Sequence, residues 1–261
     1  MAVFVFASDG EMLCQGMTIS QEEIVLDTPT GQMRCEVYRP NRDGAYPTVV
    51  FYSEIFQITA PIARTAAFVA GHGYVVVVPE VFHELNEIGT VLAYDDEGKE
   101  KGNCDKFTKP LTDHDADTVA IVNWLDEQSF CNGSLGTYGV CLGGHLAFRA
   151  ALHPRVQAAS CLYATDIHSS TMPAGDAPQT IERLTEIQGE VMCVWGRQDP
   201  HVPLEGRKVL YNAFNEADLN FTWHELNGQH AFIRDEGDRY DPELAMLCQR
   251  LTLDLFSRAL R

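Results

Sequence analysis

The sequence predicts an α/β fold with a mostly parallel central sheet and helices on both faces. Three observations predict it. Short runs rich in β-branched and aromatic residues recur along the chain, longer helical stretches fall between them, and the runs are apolar at successive positions rather than at alternate ones. Alternation of strand and helix implies a doubly wound sheet joined by crossovers. Strands apolar on both faces imply cover on both sides.

The first strand runs from Met33 to Arg39, after the turn Thr28-Pro29-Thr30-Gly31, and Pro47 to Tyr52 (PTVVFY) is the second. Pro61 to Gly71 is the first helix, opening on a proline and stopping at a glycine, as helix ends prefer. Strand Tyr74 to Val78 (YVVVV) follows. Val81 to Leu111 then breaks the rhythm. It is polar, carries Gly89, Gly98 and Gly102, and holds the charged patch Asp95 to Lys101, so an irregular loop or lid is expected. Helix Asp113 to Gln128 has an acidic start and an apolar side of Val119, Ile121, Val122, Trp124 and Leu125. Strand Leu135 to Val140 leads into helix Leu142 to Leu152, which ends before Pro154. Strand Val156 to Tyr163, helix Gln179 to Gln188, strand Val191 to Trp195, helix Glu205 to Asn215, strand Phe221 to Leu226 and helix Asp241 to Leu260 complete the chain. No repeat or low-complexity tract divides it, and residues 1–261 are expected to form one domain.

A chain of this length buries roughly three quarters of the surface its unfolded form exposes, enough for a full core. The formal charge of −18 argues against nucleic-acid binding, which needs a basic footprint, and obliges any anionic substrate to find local cations. Eight scattered cysteines without a C-x-x-C pair suggest reduced thiols in a cytoplasm rather than a disulfide framework or zinc site. The opening segment MAVFVFASDGEM lacks the positive n-region of a secretory signal, and no apolar run approaches a membrane span.

The chemistry concentrates at Gly139-Val140-Cys141-Leu142-Gly143, between a strand and a run of helix formers. A nucleophile on a strained strand-to-helix turn needs small residues two positions before and after it, and Gly139 and Gly143 supply them. The turn sets the thiol at a helix N-terminus, where the dipole favours a thiolate. The plain alternative is a structural cysteine in a glycine-rich turn. A phosphate-binding loop is disfavoured, because no G-x-x-x-x-G-K-[ST] is present.

In α/β-hydrolase folds the nucleophile is followed by an acid and then a histidine. Strand Val191 to Trp195 runs into Gly196-Arg197-Gln198-Asp199-Pro200, and strand Phe221 to Leu226 into Asn227-Gly228-Gln229-His230. His230 is the expected base, with Asp199 holding its ring. Taken alone, His230 reads as a surface-loop histidine and Asp199 as a turn residue; their order and strand-end placement favour catalysis. His145, one helical turn after Cys141, competes as a base but reads better as a packed structural residue, and His168, His201 and His224 have poorer strand-end placement. His114 among Asp113, Asp115 and Asp117 looks ligand-rich, but acids at a helix start are favoured by the dipole, so neither metal nor cofactor is expected. Strand Pro47 to Tyr52 ends in Ser53-Glu54-Ile55-Phe56. The loop after this strand normally supplies one oxyanion N–H, and the residue after the nucleophile the other, which assigns Ile55 and Leu142. Glu54 would then lie beside the thiol.

Taken together, S-E-I-F, G-x-C-x-G-G, W-G-x-x-D-P and G-x-H-A-F, spread from Ser53 to Phe232, resemble the dienelactone hydrolase family. The resemblance implies a triad of Cys141, Asp199 and His230, with Glu54 holding the resting thiol and helping to activate it when substrate displaces its contacts. It also implies small lactone acids as substrates. Arg234 matches one arginine with which members of that family grip the substrate carboxylate. A second, expected in the loop after strand Tyr74 to Val78, has no counterpart, since residues 81–111 contain Lys99, Lys101, Lys106 and Lys109 but no arginine.

The leading expectation is therefore a cysteine hydrolase of small lactones or esters. The alternatives are a broad carboxylesterase or thioesterase of the same fold, a Cys-Glu amidase or glyoxalase of the flavodoxin-like kind, and a hydrolase-fold protein that binds without turnover. Leu142 stands where the flavodoxin-like enzymes resemble one another in having His, and the ordered triad argues against a purely binding role.

Overall fold

The computed structural model describes residues 18–260, together with the backbone of two short strands, β1 (Val3–Phe6) and β2 (Met12–Gln15), which pair antiparallel. The side chains of the apolar opening segment, Cys14 among them, lie outside the described residues. The main sheet comprises β3 (Ile19–Thr28), β4 (Gly31–Pro40), β5 (Tyr46–Tyr52), β6 (Val75–Pro79), β7 (Cys131–Val140), β8 (Val156–Leu162), β9 (Glu190–Gly196) and β10 (Phe221–Leu226). Their spatial order is β10-β9-β8-β7-β5-β6-β4-β3. The strands from β5 to β10 pair parallel, and the β3–β4 hairpin adds an antiparallel edge beside β6. The mostly parallel sheet is the one anticipated.

Strand periodicity divides the core in two. Val50 and Tyr52 of β5 and Val75 and Val77 of β6 face one layer; Val49, Phe51, Val76 and Val78 face the other. The first layer is covered by α3 (Leu111–Asp126), α4 (Leu142–Ala150) and α5 (Leu204–Glu216), through residues such as Ile121, Leu146 and Phe214. The second is covered by α1 (Ala60–Ala70) and α6 (Pro242–Ala259), through Ile62, Val69, Leu255 and Phe256. Successive side chains point to opposite faces, so a strand apolar at every position needs both layers.

Three local expectations are corrected. β3 was not anticipated; its sequence ISQEEIVLDT is largely exposed, as suits an edge strand that charged residues guard against further pairing. The segment 81–111 is irregular only to Asp95, because α2 (Asp96–Thr108) occupies most of the rest. Asp95 caps α2, its side chain accepting from the Gly98 N–H at 2.8 Å. The helix expected over Gln179 to Gln188 is a 3₁₀ turn, Thr180–Glu186.

The strand order reverses at β5: β6 lies on one side and β7 on the other. In open α/β sheets, ligand sites form beyond the carboxyl ends of the strands at such a switch point.

Candidate active site

The sheet register brings the expected residues to the switch point. Tyr52 of β5 pairs with Gly139 of β7, so Glu54 and Cys141, each two residues further on, leave adjacent strands at the same level. Cys141 has φ 59° and ψ −123°, a conformation that costs a non-glycine residue about 1–3 kcal/mol and is tolerated where the surrounding structure enforces it. Close packing enforces it here. A Cβ at Gly139 would stand 1.8 Å from the Gly143 carbonyl oxygen, and one at Gly143 would stand 2.0 Å from that of Tyr52. Cys141 forms the N-terminal cap of α4, and its carbonyl accepts from the N–H of Thr165, just beyond β8, at 3.3 Å.

His230 and Asp199 arrive from the neighbouring strand ends. The Arg197 N–H donates to the Leu226 carbonyl at 2.7 Å and that of Gln198 to the Gly228 carbonyl at 3.0 Å, holding the two loops together. The His230 Nδ1 lies 2.7 Å from Asp199 Oδ2, and Asp199 Oδ1 accepts from the His201 backbone N–H at 2.8 Å. Burial by itself would lower the His230 pKa. The charge of Cys141 and the hydrogen bonds with Asp199 and Cys141 outweigh it and push the value up to about 10. Asp199 is shifted the other way: its bonds to His230 and His201 overcome burial and hold it below the usual carboxylate range.

Glu54 is buried, and burial raises its pKa despite the opposing charges of Arg234 and His230. Its Oε2 accepts from the Tyr94 hydroxyl at 3.3 Å and lies 3.6 Å from the Arg234 guanidinium. Arg234 in turn stacks over the Tyr94 ring at 4.1 Å.

These residues surround a cavity of about 280 Å³, into which Glu54, Ile55, Cys141, His230 and Arg234 all face. Asp199 and Leu142 do not line it: Asp199 lies behind His230, and Leu142 is buried at the first turn of α4. His145 is completely buried on the far side of α4, its Nε2 2.8 Å from Thr180 Oγ1, and burial lowers its pKa to about 4. His114 is also buried, against Phe82, while Asp115 turns to Arg149 and Asp117 to Lys109 and His83. Among the described residues no group of three His, Cys, Asp or Glu side chains could hold a metal, and no helix is long and apolar enough to cross a membrane. All seven described cysteines are free thiols.

Sequence reasoning missed several cavity residues. Tyr94, Lys99 and Lys106 come from the segment expected to be irregular, and Arg239 from the loop that carries Arg234. His201, set aside for its placement, lines the cavity with its ring 4.5 Å from that of His230. A tyrosine just before the N-cap Asp95 was the one local signal available. Of the lysines between 81 and 111, Lys101 pairs with Asp105 and Lys109 is buried between Glu84 and Asp117, leaving Lys99 and Lys106 on the cavity wall.

Comparison with known proteins is consistent across sequence and structure. Residues 33–260 match the model of the dienelactone hydrolase family. A Saccharomyces cerevisiae protein whose name places it among the carboxymethylenebutenolidases is 38% identical over 88% of each chain. The carboxymethylenebutenolidase of Pseudomonas sp. strain P51 is 26% identical over 95% of this chain and 96% of its own. A Klebsiella pneumoniae crystal structure named among the dienelactone hydrolases superposes with a TM-score of 0.79 at 20% identity, covering 92% of this chain and 99% of the other.

Proposed function

The chain belongs to the dienelactone hydrolase family and has the α/β-hydrolase fold, and on that premise we propose that it hydrolyses small lactones or esters in one catalytic domain, with Cys141 as nucleophile. The observation that carries this reading is the His230 ring, bonded through Nδ1 to Asp199 at 2.7 Å and lining the same cavity as Cys141.

In the proposed reaction Cys141 Sγ attacks the carbonyl carbon, and its proton goes to His230. Asp199 keeps the ring oriented and stabilises the imidazolium. The backbone N–H groups of Ile55 and Leu142 receive the developing oxyanion, each such donor being worth about 3 kcal/mol at the transition state. Collapse of the adduct breaks the C–O bond, and the leaving oxygen takes the proton from His230. In a lactone this oxygen stays tethered to the acyl group. His230 then takes a proton from water, the resulting hydroxide attacks the thioester, and the thiolate departs and regains its proton as the acid is released. Glu54 lies on the cavity wall beside this chemistry, held by Tyr94 and Arg234. Substrate that engages Arg234 frees Glu54 to assist in taking up the thiol proton, which its raised affinity for protons favours. Free thiols, the nucleophile among them, suit a reducing cytoplasm.

The decisive experiment is turnover of an aryl acetate and of a dienelactone by Cys141→Ala. Both activities should vanish while the fold is retained. Undiminished turnover by the variant would remove Cys141 from the mechanism.

A further inference from the structure

One wall of the cavity is a single excursion of the chain. Tyr94, Lys99, Asn103 and Lys106 all belong to the stretch between β6 and α3 that contains α2. The buried residues of α2 are Gly98, Gly102, Asp105 and Lys106, none of them with an apolar side chain. Helices in proteins are held mostly by packing an apolar face, and this one has none to pack. Its placement therefore depends on polar contacts.

The most deeply buried of these lie at the two ends of the stretch, and both ends meet the same carboxylate. His83 Nε2 is 3.1 Å from Asp117 Oδ1, and Lys109 Nζ donates to Asp117 Oδ2 at 2.6 Å. The side chains of His83 and Lys109 are 0% exposed and that of Asp117 4%. Lys109 has one further acceptor, Glu84 Oε2 at 2.8 Å. A buried ammonium cannot fall back on water, so losing a partner here costs far more than at a surface ion pair.

Asp117 is itself fixed relative to the cavity floor. Its helix, α3, packs on the sheet through Ile121, Val122 and Leu125. The hydroxyl of Thr118, next in sequence, lies 2.8 Å from that of Tyr52, two residues before Glu54. A buried path thus runs from the strand end that carries Glu54, through Tyr52 and Thr118, to Asp117 and both ends of the wall.

We propose that Asp117 is a positioning residue for substrate binding: by clasping both ends of residues 83–109 it sets where the cavity wall stands, without touching substrate or the reacting atoms. With the clasp open, the wall keeps only its cavity-side contacts, such as Tyr94 with Thr59 at 2.6 Å and Lys106 with Asp166 at 3.0 Å. The fraction of molecules with the wall seated then falls. KM rises as the reciprocal of that fraction, while kcat, set in the bound complex with the wall seated, holds.

The test uses Asp117→Asn, which keeps the shape and removes the charge, and His83→Phe, which opens one end and fills the space. A wall seated about one tenth of the time would raise KM for 4-nitrophenyl butyrate about tenfold with kcat within about twofold of wild type. Amide hydrogen exchange should quicken over residues 96–108 and stay slow in β5 to β9. His83→Gln, whose amide can still donate to Asp117, should recover part of both effects. Unchanged KM and unchanged exchange over 96–108 in both variants would overturn the proposal. So would faster exchange throughout the sheet with KM unmoved, which marks a general loss of stability. If Asp117→Asn does not fold, His83→Phe decides. The kinetic readout rests on the reading of Cys141 as the nucleophile; if wild type does not turn over the ester, that reading fails, and exchange over 96–108 still decides the role of Asp117.

Discussion

Gly102 of α2 lies against the backbone of Ile55: a Cβ at Gly102 would stand 2.6 Å from the Ile55 carbonyl oxygen and 3.0 Å from the Ile55 Cβ. The helix that walls the cavity therefore rests directly on the loop proposed to supply an oxyanion donor. Gly102→Ala must displace either α2 or Ile55. We expect kcat toward an aryl ester to fall about tenfold, a smaller loss than a full 1 Å misplacement can produce, with Cys141, Asp199 and His230 undisturbed. Steady-state kinetics together with a circular-dichroism melt checks this. Unchanged kcat would mean that the contact yields without moving the donor.

Asp199→Asn keeps the shape of the side chain and removes its charge. The His230 ring would lose the partner that fixes its tautomer and supports its positive charge. The expected drop in kcat is roughly 10³–10⁴-fold, as for other acid–histidine pairs, with little change in KM. A loss smaller than tenfold would show that His230 is held by something else.

Glu54 gives a pH signature in stability. Burial raises its folded pKa above the ordinary 4.5, so over the interval between the two values the native state holds more protons than the unfolded state. Stability then falls as pH rises through that interval, and the penalty persists above it. Glu54→Gln should therefore be more stable than wild type at pH 8, with the advantage shrinking as pH falls through that interval and gone below the ordinary value. Urea midpoints at pH 4 and pH 8 measure it. A variant less stable at pH 8 would mean that the contacts with Arg234 and Tyr94 outweigh burial.

Leu146 packs the underside of α4 into the sheet and is 2% exposed. Leu146→Ala should cost about 2–5 kcal/mol in a denaturant titration, the range for a buried leucine. Since α4 carries the Cys141 turn, activity should decline at temperatures well below the melting point of the variant. Stability within 1 kcal/mol of wild type would indicate that the neighbouring side chains collapse into the space.

Some of this architecture is legible in sequence, and physics explains the division. The strands β5 and β6 are apolar at nearly every position because both faces are buried, so PTVVFY and YVVVV stand out at once. β3 does not, because an exposed edge strand carrying Glu22, Glu23 and Asp27 has the composition of a loop. α2 was obscured by Gly98 and Gly102, which read as helix breakers. In the fold they are points of contact: a Cβ at Gly98 would stand 2.1 Å from the Ala93 carbonyl oxygen, and Gly102 touches Ile55. The positions of Cys141, Asp199, His230 and Glu54 could be read because each follows a strand that local pattern reveals. Tyr94, Lys99 and Arg239 could not, because their meeting depends on how α2 docks, which no local pattern records.

The separation of α2 from the strand ends bears on how such a protein diverges. Cys141, Asp199 and His230 each follow a strand of the sheet, so substitutions there disturb the core together with the proposed chemistry. Lys99, Asn103 and Lys106 share one face of a polar helix whose side chains contribute little to the core. Selection can rewrite that face, exchanging the clientele of the enzyme while the machinery beneath is inherited intact.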